Sequence, residues 1–189
     1  MAVIKTGERG QGAPGAVAAR AAPAGGSADC QWLMVAAQRA GLASGSFRLP
    51  GNPACDHGYR PRIAVRTPGT GPRSVRVARE FALATLQRWG LAERSEDIAI
   101  VISELLTNAL RHALPEPGHT QPIRLGLLQP GPCLLCAVTD PSRAAPIPPA
   151  PREFLPETGR GLQIICALSD RWGYTPLSDT GKVVWATFS

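Results

Sequence analysis

The feature that most constrains the fold is a long apolar helix with a polar stripe, which the sequence predicts to run from a cap at Ser95 through "SELLTNALRHA" (103–113). Ser95 can cap its start, and the prolines at 115 and 117 stop it, because proline lacks the backbone donor that a helix needs. At about 100° per residue, one broad side of this helix is apolar. That side consists of Ile98, Val101, Ile102, Leu105, Ala109 and Leu110. The adjoining stripe consists of Glu104, Thr107, Asn108 and Arg111, with His112 beside it.

The order of the other elements predicts an α+β fold. Hydrophobic periodicity and turn residues indicate an edge strand at 62–67, a helix from Pro72 to Trp89, strands at 122–129 and 133–140, a short helix after the Gly-rich turn at 159–161, and a closing hairpin over 171–188. A Pro-Gly turn between the second and third strands predicts that they form an antiparallel pair. Helices grouped against a mostly antiparallel sheet predict a two-layer α/β sandwich.

Composition separates residues 1–60 from the rest of the chain. Glycine and proline number 20 and 19 of 189 residues, and together with alanine they dominate residues 1–29. Such a segment buries too little apolar surface to fold alone, so 1–60 is predicted to be a low-complexity, mostly disordered extension. Within it, Cys30–Leu42 is compatible with a short helix for which the sequence indicates no packing partner. Residues 61–189 are predicted to form the ordered domain.

Charge and cysteine patterns argue against several classes of protein. The net charge is +6, but the basic residues are scattered, which favours a solvated surface over a direct nucleic-acid interface. The five cysteines are irregularly spaced, and the C-x-x-C of Cys133 and Cys136 lies in an apolar run without a second ligand pair. Reduced thiols are therefore predicted rather than disulfides or a zinc site. No stretch suits a secretory signal or a membrane span, which predicts a cytoplasmic protein.

Glu104 and Asn108 are the candidate reactive pair, because they lie one helical turn apart and can reach a single phosphate chain. An amide oxygen such as that of Asn108 can be one of the few protein ligands of Mg²⁺. A carboxylate such as that of Glu104 can orient or deprotonate a hydroxyl nucleophile. Arg111 or His112 can contact phosphate oxygens or a partner. The same residues are also compatible with a solvated helix edge, and His112 with a hydrogen-bonded core histidine.

Three further features favour a nucleotide site over a solvated edge. Asp140 ends a buried strand, where its carboxylate can accept a hydrogen bond from an adenine amino group or can form a turn. Gly159-Arg160-Gly161 precedes a helix, so free backbone N–H groups can face phosphates, although such a turn can also be a flexible loop end. The Pro-rich segment 141–157 between them is long enough to act as a lid.

The motifs "ELLTNALRH" (104–112), "VTD" (138–140) and "GRGL" (159–162) occur in the order found in the Bergerat-fold (GHKL) ATPases. These include gyrase, the heat-shock chaperone ATPases, histidine kinases and mismatch-repair relatives. With its ending "GRGLQIICALSDRWGYTPLSDTGKVVWATF", the chain most resembles the anti-sigma-factor serine/threonine kinases, the RsbW-like group. The resemblance covers residues 63–188 and implies a histidine kinase-like ATPase domain over 61–189, with ATP and Mg²⁺ as cofactors.

The resemblance also implies roles for single residues. Glu104 matches the family's general base, Asn108 its Mg²⁺ ligand and Asp140 its adenine-reading carboxylate. The glycine box at the end of the lid is matched by Gly159, Arg160, Gly161 and Leu162. Such proteins bind a sigma factor and phosphorylate a serine or threonine of a small antagonist protein, and they commonly form homodimers.

Two departures from the family pattern motivate an alternative function. The family has glycines just after the adenine-binding aspartate, whereas this chain reads Asp140-Pro141-Ser142-Arg143. A hydroxyl residue is common after the Gly-Lys near the end, where this chain has Val183. The alternative is a non-catalytic module that sequesters a sigma factor or another partner in a nucleotide-dependent way.

Overall fold

The computed structural model describes residues 30–42, 61–113, 122–146, 160–177 and 181–189, with the side chains of residues 112 and 113 outside that description. The helices in these ranges are α1 (Gln31–Arg39), α2 (Ser74–Trp89), α3 (Ser95–Ala113) and α4 (Gly161–Leu168). The strands are β1 (Arg62–Arg66), β2 (Leu125–Gln129), β3 (Leu134–Asp140), β4 (Arg171–Leu177) and β5 (Gly181–Phe188). From β1 onwards this is the predicted order of elements.

The strands form one antiparallel sheet in the order β1-β2-β3-β5-β4. The predicted edge position of β1 and the predicted pairs β2–β3 and β4–β5 are confirmed. The last strand, β5, inserts between β3 and β4, and its register places Lys182 opposite Asp140. The start of β5 therefore lies beside the C-terminal end of β3.

One face of the sheet packs against α2, α3 and α4, which confirms the α+β prediction. Side chains alternate between the two faces of a strand, so Val138 and Asp140 of β3 lie on the same side. Val138 belongs to the buried cluster that includes Ile102 and Leu106 of α3 and Trp172 of β4. The predicted apolar side of α3 is buried, apart from the half-buried Leu110. This packing leaves the polar stripe of α3 at the border of the core.

The starts of α2 and α3 differ slightly from the predictions. Pro72 lies in the turn before α2, which begins two residues later at Ser74, while Gly90 ends the helix with a φ of 74°, as predicted. Ser95 is the first residue of α3 and its hydroxyl donates to the Ala92 carbonyl at 2.8 Å. The first intrahelical bond runs from the Ile98 N–H to the carbonyl of residue 94, so residue 94 holds the cap position and the predicted Ser95 cap is wrong.

Arg94 fixes the start of α3 to the end of the chain. Its guanidinium forms an ion pair with Asp170 at 3.3 Å and donates to the Ser189 carbonyl oxygen at 2.8 Å. It also lies 5.3 Å from the ring centroid of Phe188 and donates to the carbonyl of Leu168, the last residue of α4, at 3.4 Å. These bonds set the position of α3 relative to α4.

Helix α1 covers part of the opposite face of the sheet. The short helix predicted within Cys30–Leu42 is confirmed, but the expectation that it has no packing partner is wrong. Trp32 and Leu33 are buried in a second apolar cluster with Leu135 and Trp185 of the sheet. The sandwich therefore has a partial third layer, and one part of the predicted extension 1–60 is packed against the domain.

Two residues of the sheet accommodate α1. Gly126 of β2 provides space, because a Cβ there would lie 2.7 Å from the Trp32 ring. Arg171 of β4 donates to the Ala40 carbonyl at the end of α1, at 2.8 Å. The predictions for residues 1–29 and 43–60 lie outside the described residues. In the described ranges, no helix is long and apolar enough to cross a membrane.

Candidate functional site

The polar stripe of α3 meets the first turn of α4. Glu104 and Asn108 are half-buried, and Gly161, the first residue of α4, lies directly against both. A Cβ at Gly161 would be 2.7 Å from Glu104 Oε2 and 3.4 Å from both polar atoms of the Asn108 amide. Glycine therefore allows the start of α4 to approach this pair. Residues from two separate predicted motifs come together here.

The start of α4 adds backbone donors to the two side chains. The first N–H groups of a helix have no intrahelical acceptor, and in α4 the first such bond is from Ile164 to Arg160. Among the described residues, neither the Glu104 carboxylate nor the Asn108 amide forms a side-chain hydrogen bond or an ion pair. A carboxylate, an amide oxygen and backbone donors are thus available in one place, a combination suited to a phosphate chain and its cation.

The other residues predicted around this pair are placed as follows. Arg111 is exposed on α3, one helical turn from the pair, and Arg160 is exposed at the N-cap position of α4. Leu162 is half-buried and packs against the main core, which anchors the first turn of α4. Gly159 and the side chain of His112 lie outside the described residues. The ligand-binding roles of these residues remain predictions.

Asp140 ends β3 on the helix-facing side of the sheet, and its carboxylate has two partners. Lys182 Nζ lies 2.5 Å from Oδ2, and the Ser142 N–H donates to Oδ1 at 2.8 Å. Lys182 also donates to the Ser142 carbonyl at 2.9 Å. The Lys182 and Asp140 side chains are 4% and 5% exposed, so each charge depends on the other for compensation.

Gly181, next to Lys182, lies directly against the backbone of Asp140 and Pro141. Its φ of 96° lies in the left-handed region, and a Cβ there would overlap the Asp140 carbonyl and lie 2.6 Å from the Pro141 carbonyl oxygen. The start of β5 therefore passes in close contact with the backbone that follows β3. Only glycine combines that φ with that proximity at little cost.

Sequence reasoning missed Lys182 and Gly181. The available signal was a single charge in the apolar strand β5, but its neighbour could be identified only from the β3–β5 register. The structure also changes the meaning of Val183, which is buried on the opposite face in the cluster with α1. A hydroxyl at position 183 would not face Asp140; the β5 residue that does so is Lys182.

The cysteine motif does not add a second reactive centre. Cys136 is buried in β3, and burial raises the pKa of its thiol to about 12, so the thiol stays protonated at neutral pH. Cys133 is half-buried and not disulfide-bonded. In the part of the chain that the structure describes, no group of three or more His, Cys, Asp or Glu side chains is arranged to hold a metal ion.

Comparison with known proteins agrees with the fold. The family model of the histidine kinase-like ATPase domain matches residues 70–188, and the chain belongs to this family. An uncharacterised protein of Streptomyces coelicolor is 36% identical over 81 residues, which are 41% of this chain and 76% of that protein. The family match confirms the GHKL resemblance and supports an ATP-binding regulatory function. Helix α1 and strand β1 precede the matched residues.

Proposed function

We propose that this chain is an ATP-dependent protein serine/threonine kinase that acts as an anti-sigma factor. The observation that carries the proposal is the contact of Gly161 with Glu104 and Asn108. It joins a candidate base, a candidate cation ligand and the donor-rich start of α4 in one half-buried place. A solvated helix edge would not require a glycine of another helix to lie against it.

The residues at this end of the site fit Mg²⁺-ATP. Asn108 would hold the cation through its amide oxygen, and the N–H groups at the start of α4 would meet phosphate oxygens. Bound Mg²⁺ would neutralise charge on the phosphates. At the other end, the Asp140 carboxylate keeps unused lone pairs for a base amino group, because it accepts only two hydrogen bonds from described residues.

Glu104 would orient the hydroxyl of the substrate serine or threonine and accept its proton. Its carboxylate is half-buried and has no competing cation among the described residues, so it is free to accept a hydrogen bond from a substrate. Arg111 is exposed beyond the pair and would contact a phosphate oxygen or the incoming partner. Catalysis would consist mainly of positioning and charge neutralisation.

The proposed partners are a sigma factor and a small antagonist protein that carries the phosphorylated hydroxyl. The net charge of +6 would favour encounter with an acidic partner. The protein would act in the cytoplasm, as a homodimer, without direct contact with nucleic acid.

The proposal is tested in two stages. The full chain is used as bait in an extract of its native cell, with Mg²⁺-ATP or Mg²⁺-ADP, and the bound proteins are identified by mass spectrometry. Each is then purified and incubated with the full chain and γ-labelled ATP. We expect label on a serine or threonine of one small protein. ATP binding without transfer to any bound protein would reject the kinase assignment.

A second candidate function is favoured by the Asp140–Lys182 ion pair and by Pro141 after it. These features limit the freedom of the chain around the proposed adenine position. A module that binds nucleotide without turnover would tolerate such a restriction. Such a module would capture a sigma factor or another partner in a nucleotide-dependent way. Partner capture that responds to ATP but is insensitive to Glu104→Gln, together with no phosphate transfer, would favour it over the kinase.

A further inference from the structure

We infer that Lys182 is a base-reading residue: together with Asp140 it recognises the Watson–Crick edge of adenine, donating to ring nitrogen N1 while Asp140 accepts from the 6-amino group. This inference rests on the proposed ATP binding and assigns a specificity-determining role to a residue outside the three motifs. It begins from the placement of Lys182, which β5 pairs with Asp140 on the face of the sheet that carries α3 and α4.

The hydrogen bonds of Lys182 account for two of the three N–H donors of its ammonium group. An ammonium group has three N–H donors. One is directed at Asp140 Oδ2 at 2.5 Å and one at the Ser142 carbonyl at 2.9 Å. Lys182 makes no third hydrogen bond among the described residues, and its side chain is only 4% exposed. A buried donor without an acceptor is costly, so a ligand acceptor at this position would be stabilising.

The chemistry of the pair matches one edge of adenine. Adenine presents adjacent groups there, a donor at the 6-amino group and an acceptor at N1. Asp140 supplies an acceptor and Lys182 supplies a donor from neighbouring strands, and their ion pair holds the two groups together. The hydrogen bond from Lys182 would be charge-assisted, which makes it stronger than one between neutral groups.

The geometry also restricts Lys182 to this position. Gly181 allows the start of β5 to lie against the backbone of Asp140 and Pro141. The Ser142 carbonyl, just after the end of β3, accepts a hydrogen bond from the Lys182 ammonium. The side chain therefore has few alternative orientations. A residue that only neutralised Asp140 would not discriminate between adenine analogues that differ at N1.

The test changes the ligand first, so that the protein stays intact. The full wild-type chain is titrated in Mg²⁺ buffer with ATP, 1-deaza-ATP and 7-deaza-ATP by isothermal calorimetry. The first analogue lacks the N1 acceptor, and the second lacks a ring nitrogen on the other edge of the base. We expect 1-deaza-ATP to bind about tenfold more weakly than ATP, the loss of one charge-assisted hydrogen bond, and 7-deaza-ATP to bind like ATP.

Two variants complete the test. Lys182→Met should bind ATP about tenfold more weakly than wild type and should no longer discriminate between ATP and 1-deaza-ATP. Arg66→Met, which removes one exposed positive charge from the edge strand β1, should retain the wild-type preference. If Lys182→Met fails to fold, the wild-type analogue titrations decide the question.

The outcomes separate this inference from the proposed function. Equal wild-type affinity for ATP and 1-deaza-ATP would overturn the role of Lys182 and leave ATP binding in place. Tighter ATP binding by Lys182→Met would also overturn it, because Lys182 would then compete with the base. Failure of all three nucleotides to bind would overturn the proposed function together with this inference.

Discussion

The two ends of the proposed nucleotide site are built on opposite principles. At the α3–α4 end, Glu104 and Asn108 are half-buried and have no side-chain partner among the described residues. At the β3–β5 end, Asp140 and Lys182 are almost completely buried and are bonded to each other and to Ser142. In the proposed function, the first end would hold a metal-bound phosphate chain and a substrate hydroxyl. The second is preorganised, and its charges depend on each other.

Each end contains a glycine, Gly161 at the α3–α4 end and Gly181 at the β3–β5 end, and the two differ in what surrounds them. Gly161 lies against the ends of flexible side chains, whereas Gly181 lies against backbone atoms and has a positive φ. A side chain can move aside at small cost, but a backbone cannot. Substitutions at the α3–α4 end should therefore affect function with little change in stability, whereas substitutions at the β3–β5 end should also lower stability.

The largest effect is expected from Glu104→Gln. Loss of a general base should slow phosphate transfer to the antagonist protein by about 10²–10⁴-fold, while ATP affinity changes little. Label transfer and calorimetry measure the two quantities separately. Glu93→Gln, which neutralises an exposed carboxylate just before α3, is the matched control and should transfer normally. Undiminished transfer by Glu104→Gln would remove Glu104 from the mechanism.

The next effect is on stability, at the buried ion pair. Lys182→Met should lower the free energy of unfolding by about 3–5 kcal/mol, because it leaves the Asp140 charge buried without compensation. The double variant Asp140→Leu/Lys182→Met removes both charges and should recover most of that loss, as replaced buried pairs often do. Urea denaturation measures both variants. A double variant no more stable than Lys182→Met would show that the pair does not behave as one unit.

Gly181→Ala should have a smaller effect on stability. The positive φ and the overlap with the Asp140 and Pro141 backbone should together cost about 1–3 kcal/mol in the free energy of unfolding. Gly131→Ala is the matched control, because a Cβ in that turn between β2 and β3 would meet no atom within 4 Å. Equal unfolding midpoints for the two variants would contradict the close approach at Gly181.

Gly161→Ala should have the smallest effect, and on function rather than stability. The new Cβ would displace the Glu104 carboxylate from its position, so we expect transfer to fall by about tenfold. The free energy of unfolding should change by no more than about 1 kcal/mol, since alanine is at least as favourable as glycine in a helix. A large loss of stability with normal specific activity would reverse the contrast between the two glycines.

Local patterns predicted much of this molecule. The periodicity of α3 identified its buried side and its polar stripe, because both depend only on helical spacing. Turn residues predicted the strand pairs β2–β3 and β4–β5 and the end of α2 at Gly90, because a turn also depends only on residues close together in the sequence. The Glu104–Asn108 pair was recognisable because both members lie on one helix, and Asp140 because it ends an apolar run.

The features that were not predicted depend on long-range contacts. The role of Lys182 depends on the β3–β5 register, which joins two segments separated in sequence by residues 141–180, including α4 and β4. Helix α1 has a packing partner because β2, β3 and β5 assemble an apolar face for it. The cap of α3 falls at residue 94, whose side chain is held by residues at the far end of the chain. Sequence periodicity does not contain these relations.

The measurement that tests the central claim most directly is a titration with a fluorescent ATP analogue, with and without Mg²⁺. The claim is that Asn108 holds the cation beside Glu104 and Gly161. Wild type should bind in a Mg²⁺-dependent way, and Asn108→Ala should bind at least about tenfold more weakly, with that dependence lost. Ser103→Ala, on the same helix but with its hydroxyl bonded to the Ala99 carbonyl, should bind like wild type. Wild-type, Mg²⁺-dependent binding by Asn108→Ala would contradict the account.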